Sequence, residues 1–285
     1  MALLIQFLLR LSFGLAAGMA ITSSKLVTSG YFRNHLYVTL GLTTLAALLS
    51  YSAAPEVFWF AVAATVFSYI GSVCWLYEKS TAGKVLLILV VMASHAGTFK
   101  QMSHLVESKP DQVNLGRYLP APAAGETISS TEADPRTSRL MWLGMSSAFL
   151  HIFSNLSSGL LLGMTMAAML LGHWCLNSPT MELAPLKRLI LVMGAAVALQ
   201  AVVSLLGLWG EIASVDSMST RWILFIALRW TFGLLGVGAL AWMAWQTLKI
   251  PNTQSTTGIL YVAVIGTFVG ETMALLLSAE SLFPL

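Results

Sequence analysis

Four ionisable side chains fall inside apolar runs of this sequence: Arg10, His95, Arg229 and Glu271. An ionisable residue within a membrane span costs about 2.5–3.5 kcal/mol on insertion scales, so each is a functional candidate by default. One carboxylate and two guanidiniums at a shared depth can pair, hold an anion, or pass protons through the carboxyl group. Gln6, Asn155 and Gln200 bring amides to the outer half or the midplane, and His151 brings an imidazole. Glu271, Arg229, Arg10 and His95 are therefore the candidates for chemistry. Gln200, Asn155, His151 and Gln6 are the candidates for holding a cofactor or ligand. His95 with His151 is the best histidine pair for haem b, which needs axial ligands from different helices. Neither lies in a motif that marks haem, and haem b is not expected.

These residues need helices long enough to carry them across a bilayer. The chain has 285 residues, 57% of them hydrophobic and only 9% charged. A soluble domain carries roughly 25% charged residues. The composition excludes a soluble globular enzyme, a disordered chain and a nucleic-acid binder with a basic surface. It indicates an all-α, polytopic transmembrane bundle in the lipid bilayer. A span needs about 20 mainly apolar residues. The runs near 2–22, 36–52, 57–77, 85–101, 156–175, 189–210, 222–247 and 257–279 satisfy this and predict eight spans. The first lacks a basic leader and carries Arg10 inside the apolar stretch, so it reads as a retained span.

Residues 1–101 and 140–285 read as two membrane halves of four helices each. The polar stretch 102–139, with Pro110, Pro120, Pro122 and Pro135, reads as a loop between them. Residues 140–154 are apolar but interrupted by Ser146, Ser147, His151 and Ser154. They predict an interfacial segment, or else the start of one long helix that protrudes from the fifth span. The short loops on one side collect Lys25, Arg33, Lys79, Lys84, Lys187, Arg188 and Lys249. The other side has Arg221 with Glu56, Glu211, Asp216 and Glu280. The positive-inside rule then places both termini and the long loop outside, as in a bacterial inner-membrane protein.

That topology gives depths. At 1.5 Å per residue, Arg10, Arg229 and Glu271 each lie about 10–12 Å from the outer side, and His95 about 9 Å. The shared level predicts an Arg229–Glu271 ion pair, with Arg10 leaving a net positive site.

Other features read as structure. Gly14 with Gly18, Gly159 with Gly163, and Gly266 with Gly270 are small-residue pairs for close helix contact. Trp59, Trp75 and Trp209 near span ends read as an interfacial belt. Ser255 or Thr256 reads as the cap of the last helix. Cys74 and Cys175 lack metal-site spacing, and Met164, Met166 and Met169 read as core filler rather than copper ligands, so no metal is expected. No phosphate loop, His-Glu-x-x-His, Cys-x-x-Cys or serine-hydrolase elbow occurs. A self-contained enzyme is not expected, and an intramembrane enzyme using His95 and Glu271 stays open.

In length, span count and orientation the chain resembles the eight-helix membrane anchors of molybdenum and iron–sulfur oxidoreductases, of the DMSO-reductase and polysulfide-reductase type. The resemblance is one of plan, without a shared motif. It implies a quinol site near the outer face and a partner iron–sulfur subunit there. The leading expectation is an integral-membrane subunit of a redox complex, with other protein subunits as partners and quinone as the ligand. Two alternatives use the same residues: a secondary transporter, and an assembly or structural subunit whose charges only hold helices together.

Overall fold

A computed structural model describes the backbone of residues 1–112, 135–178, 180–214 and 219–285, and the side chains of 1–103, 145–178, 180–214 and 219–285. All regular structure among the described residues is helical. The helices are α1 (Ala2–Ile21), α2 (Ser29–Ala53), α3 (Pro55–Leu76), α4 (Ser80–Gln112), α5 (Pro135–Asn177) and α6 (Ala184–Ile212). Then follow α7 (Thr220–Leu228), a π-helical segment (Arg229–Gly236), α8 (Val237–Lys249) and α9 (Thr253–Glu280). The stretch Thr220–Lys249 is continuous and counts as one span, so eight helices are long and apolar enough to cross a membrane.

Helix starts follow local chemistry. Pro55 opens α3, where a missing N–H costs nothing. Ser219 accepts from the Trp222 N–H and caps α7. Asn252, not Ser255 or Thr256, caps α9, its side chain accepting from the Ser255 N–H. Asn at the N-cap leaves both hydroxyl residues inside the first turn, and Thr256 turns back onto the Asn252 carbonyl.

The spans run longer than the apolar runs suggest. Helix α4 continues to Gln112 and α5 begins at Pro135, so both flanks of the expected 102–139 loop are helical. Apolar length reports the thickness of hydrocarbon, and a polar sequence can continue the same helix beyond it. Residues 140–154 are likewise continuous with the fifth span, with no break that would make them a separate interfacial segment. Apart from the exposed Ser146, the polar residues here and in the next turn fall on one face: Ser147, His151, Ser154, Asn155 and Ser158 are buried, while Met145, Phe149, Ile152 and Phe153 point outward. Helical spacing turns an interrupted apolar run into an apolar outer face and a polar inner one.

Helix α1 packs against α2, α4 and α5, and α5 against α6 and α9. The α1–α5 contact is a glycine crossing. A side-chain carbon at Gly14 would overlap the backbone of Gly159 and Gly163, and one at Gly163 would overlap Gly14. A second crossing sets the π segment on α9, where Gly233 meets Gly270. Small residues let backbones touch where water does not drive association. Both crossings lie beside charged residues, Arg10 near Gly14 and Glu271 next to Gly270.

The remaining structural expectations divide. Trp59 and Trp209 are exposed, as belt residues are. Trp75 is instead buried and stacked on Phe32. Glu211, expected in a loop, lies in the last turn of α6 and is buried. The seventh span, read from sequence as the apolar run 222–247, widens into the π segment at Arg229. Such π insertions in a helix occur frequently at functional sites.

Candidate functional site

Three charges meet inside the bundle. Arg10 Nη1 stands 4.0 Å from Glu271 Oε2, and Arg229 Nη1 stands 3.9 Å from Glu271 Oε1. The side chains of Arg229 and Glu271 are each only 2% exposed. The level inferred from sequence depth therefore corresponds to a real convergence of the first, seventh and eighth spans, with two cations to one anion.

The arginines are close enough to act on Glu271 as charges, while Ser158 makes its shorter contact. Ser158 Oγ donates to Glu271 Oε2 and accepts from Arg10 Nη1 at 3.0 Å. Arg10 Nε donates to Asn155 Oδ1 at 2.8 Å. On the other side, Arg229 Nη2 donates to Ser204 Oγ at 2.7 Å, and its Nη1 reaches the Gly270 carbonyl at 3.4 Å. Ser157 Oγ donates to Gln200 Oε1. Gln200 and Ser204 are one turn apart on α6, and Asn155 and Ser158 one turn apart on α5, so each helix offers a polar edge to the arginines.

The hydrogen bonding is incomplete. Asn155 Nδ2, Gln200 Nε2 and Arg229 Nε are buried without a protein partner among the described residues. Buried polar groups are normally satisfied, and a donor left over is costly in a low-dielectric interior.

The other candidates stand apart. His95 lies with its ring against Phe13, centroids 4.8 Å apart, and no hydrogen bond or ion pair among the described residues joins it to the three charges. His151 Nε2 meets the Leu282 carbonyl at 3.1 Å. The two histidines meet different neighbours, Phe13 and Leu282. Gln6 is buried one turn before Arg10 on α1, and no hydrogen bond among the described residues joins it to the charges. No group of three or more His, Cys, Asp and Glu side chains among the described residues could hold a metal ion.

The sequence reading missed Ser158 and Ser204. Serine is common in spans, and only its spacing from Asn155 and Gln200 could have marked it. It also missed the tail. Residues Ser281–Leu285 fold back and are buried. The Phe283 N–H donates to Glu211 Oε2 at 3.2 Å, and the Leu285 N–H to Ser278 Oγ at 3.1 Å. Pro284 packs on Gly207, where no side chain could fit. Gly207 is one turn beyond Ser204, and His151 one turn before Asn155, so the tail lies next to the cluster at its end of α5 and α6.

Compared with family models, curated proteins and solved structures, the chain matches none.

Proposed function

We propose that this polytopic membrane protein is the integral-membrane subunit of a redox complex, and that its Arg10–Glu271–Arg229 cluster handles quinone and protons. The observation that carries this reading is Glu271, a carboxylate buried between two guanidiniums, joined to the polar edge of α5 through Ser158 and facing that of α6 through Arg229 and Ser204. A carboxyl group in that position can take up or release a proton without leaving hydrocarbon. The unpartnered donors of Asn155, Gln200 and Arg229 suit the carbonyl oxygens of a quinone head group, which are acceptors. In this reading the halves 1–101 and 140–285 meet at α1 and α5, both termini lie outside an inner membrane, and cofactor-bearing partner subunits dock on the outer face. His95, His151 and Gln6 then border the site rather than form it.

Purification in mild detergent tests this. Co-purifying redox subunits and an extractable quinone support the reading. A chain that purifies alone, with no quinone, contradicts it.

The π segment supports a second reading, a secondary transporter. π-helical turns within a helix occur frequently at functional sites, and here the segment begins at Arg229, one of the charges a transporter would use. Substrate-dependent proton flux in liposomes holding this chain alone would favour that reading over the first.

A further inference from the structure

The cluster carries more positive than negative charge. Arg10 and Arg229 bring two guanidiniums to the one carboxylate of Glu271. Glu211 is the other buried acid among the described residues. It lies seven residues beyond Ser204 on α6, about 10 Å along the axis, and faces the Phe283 N–H. A surplus cation in hydrocarbon is costly unless an anion offsets it.

The leftover hydrogen-bonding groups agree in sign. Arg10 Nε can only donate, so the Asn155 atom it meets must be Oδ1. That fixes the amide, and Asn155 Nδ2 is a donor. Arg229 Nε is a donor in any orientation. Both atoms, and Gln200 Nε2, whose amide oxygen accepts from Ser157, have no protein partner among the described residues, and all three residues are more than nine-tenths buried. The site therefore presents unused donors and surplus positive charge together.

We propose that the cluster is a binding site for a monoanionic oxygen ligand, received by the donors that Asn155, Gln200 and Arg229 leave free. The shared chemistry fits either an ionised quinol oxygen or a small free oxyanion such as a carboxylate. The proposal does not rest on the redox reading, since it concerns binding and involves no electron transfer.

The test uses the full chain in detergent, washed free of small anions and held at constant ionic strength with gluconate, a six-carbon anion much larger than formate. Formate is the probe. Wild type should melt about 3 °C higher with formate at ten times its Kd than in gluconate alone. Asn155→Asp keeps the oxygen that meets Arg10 and supplies the missing charge in place of the free donor. It should melt at least as high as wild type in gluconate and show no formate shift. Gln200→Glu, which keeps the oxygen facing Ser157, should behave likewise and covers the case in which Asn155→Asp does not fold. Displacement of formate by a short-chain quinol identifies a quinol oxygen as the occupant, and failure to displace it identifies a free oxyanion. Equal melting of wild type in formate and gluconate, or an undiminished formate shift in both variants, overturns the proposal.

Discussion

Ser158 donates to Glu271 Oε2 and accepts from Arg10 Nη1, so one hydroxyl links the first and last spans through α5. Neither arginine makes a hydrogen bond to Glu271 shorter than its 3.9–4.0 Å ion-pair distance. The charges set the electrostatics of the site, and serines set its geometry.

Glu271→Ala should leave two guanidiniums facing each other without a counter-charge. Breaking a buried pair by removing one partner commonly costs about 3–5 kcal/mol. Glu271→Ala should therefore lower the detergent melting temperature and yield clearly. Glu271→Gln, which keeps the contact with Ser158, should lose less. Adding Arg10→Gln to Glu271→Ala should recover part of the loss, and strict additivity would show that the two do not interact.

Gly14→Leu should separate α1 from α5, because a side chain there overlaps the backbone of Gly159 and Gly163. The expected loss is about 1–3 kcal/mol or more, as for overpacked cores. Gly194 and Gly41 meet nothing within 4 Å of an added carbon, so Gly194→Ala and Gly41→Ala should gain about 0.5–1 kcal/mol from helix propensity. Comparison of the three melting temperatures checks both halves of the statement.

The eight spans and the level of the charges were legible because burial in lipid is paid for in composition. Long apolar runs and rare charges can be counted without knowing any contact. What α5 does was not legible. Ser147, His151, Ser154, Asn155 and Ser158 interrupt an apolar run when read in line, and only helical spacing gathers them on the buried face. Glu211 reads as a loop acid because it lies near Asp216. Its role depends on a chain reversal at Ser281 that returns Phe283 to it, a long-range contact without local signal. The π segment is also hidden, since the residues from Arg229 to Gly236 read as ordinary apolar helix.

The tail should be protected where it lies. Leu282→Cys, in a background lacking Cys74 and Cys175, should resist a membrane-impermeant thiol reagent. Adding Gly207→Val, which displaces Pro284, should make it react at least about tenfold faster, a factor equivalent to about 1.4 kcal/mol of protection. Equal rates in the two proteins would show that the tail is not held by this contact.

The orientation expected from the short-loop lysines and arginines would place Leu285 outside. A reporter active only in the cytoplasm, fused after Leu285, should be silent, and one active only outside should be bright. The opposite pattern would invert the topology and put the cluster in the inner half.

The most direct measurement of the proposed role of Glu271 is quinol oxidation by the complex purified through this chain, in wild type and in Glu271→Gln. The variant should assemble with the same subunits and bound quinone. Its rate should fall by about 10²–10⁴, as for loss of a positioned proton-transfer group. A Glu271→Gln complex that assembles normally and oxidises quinol at the wild-type rate would contradict the account and leave the cluster a purely structural junction.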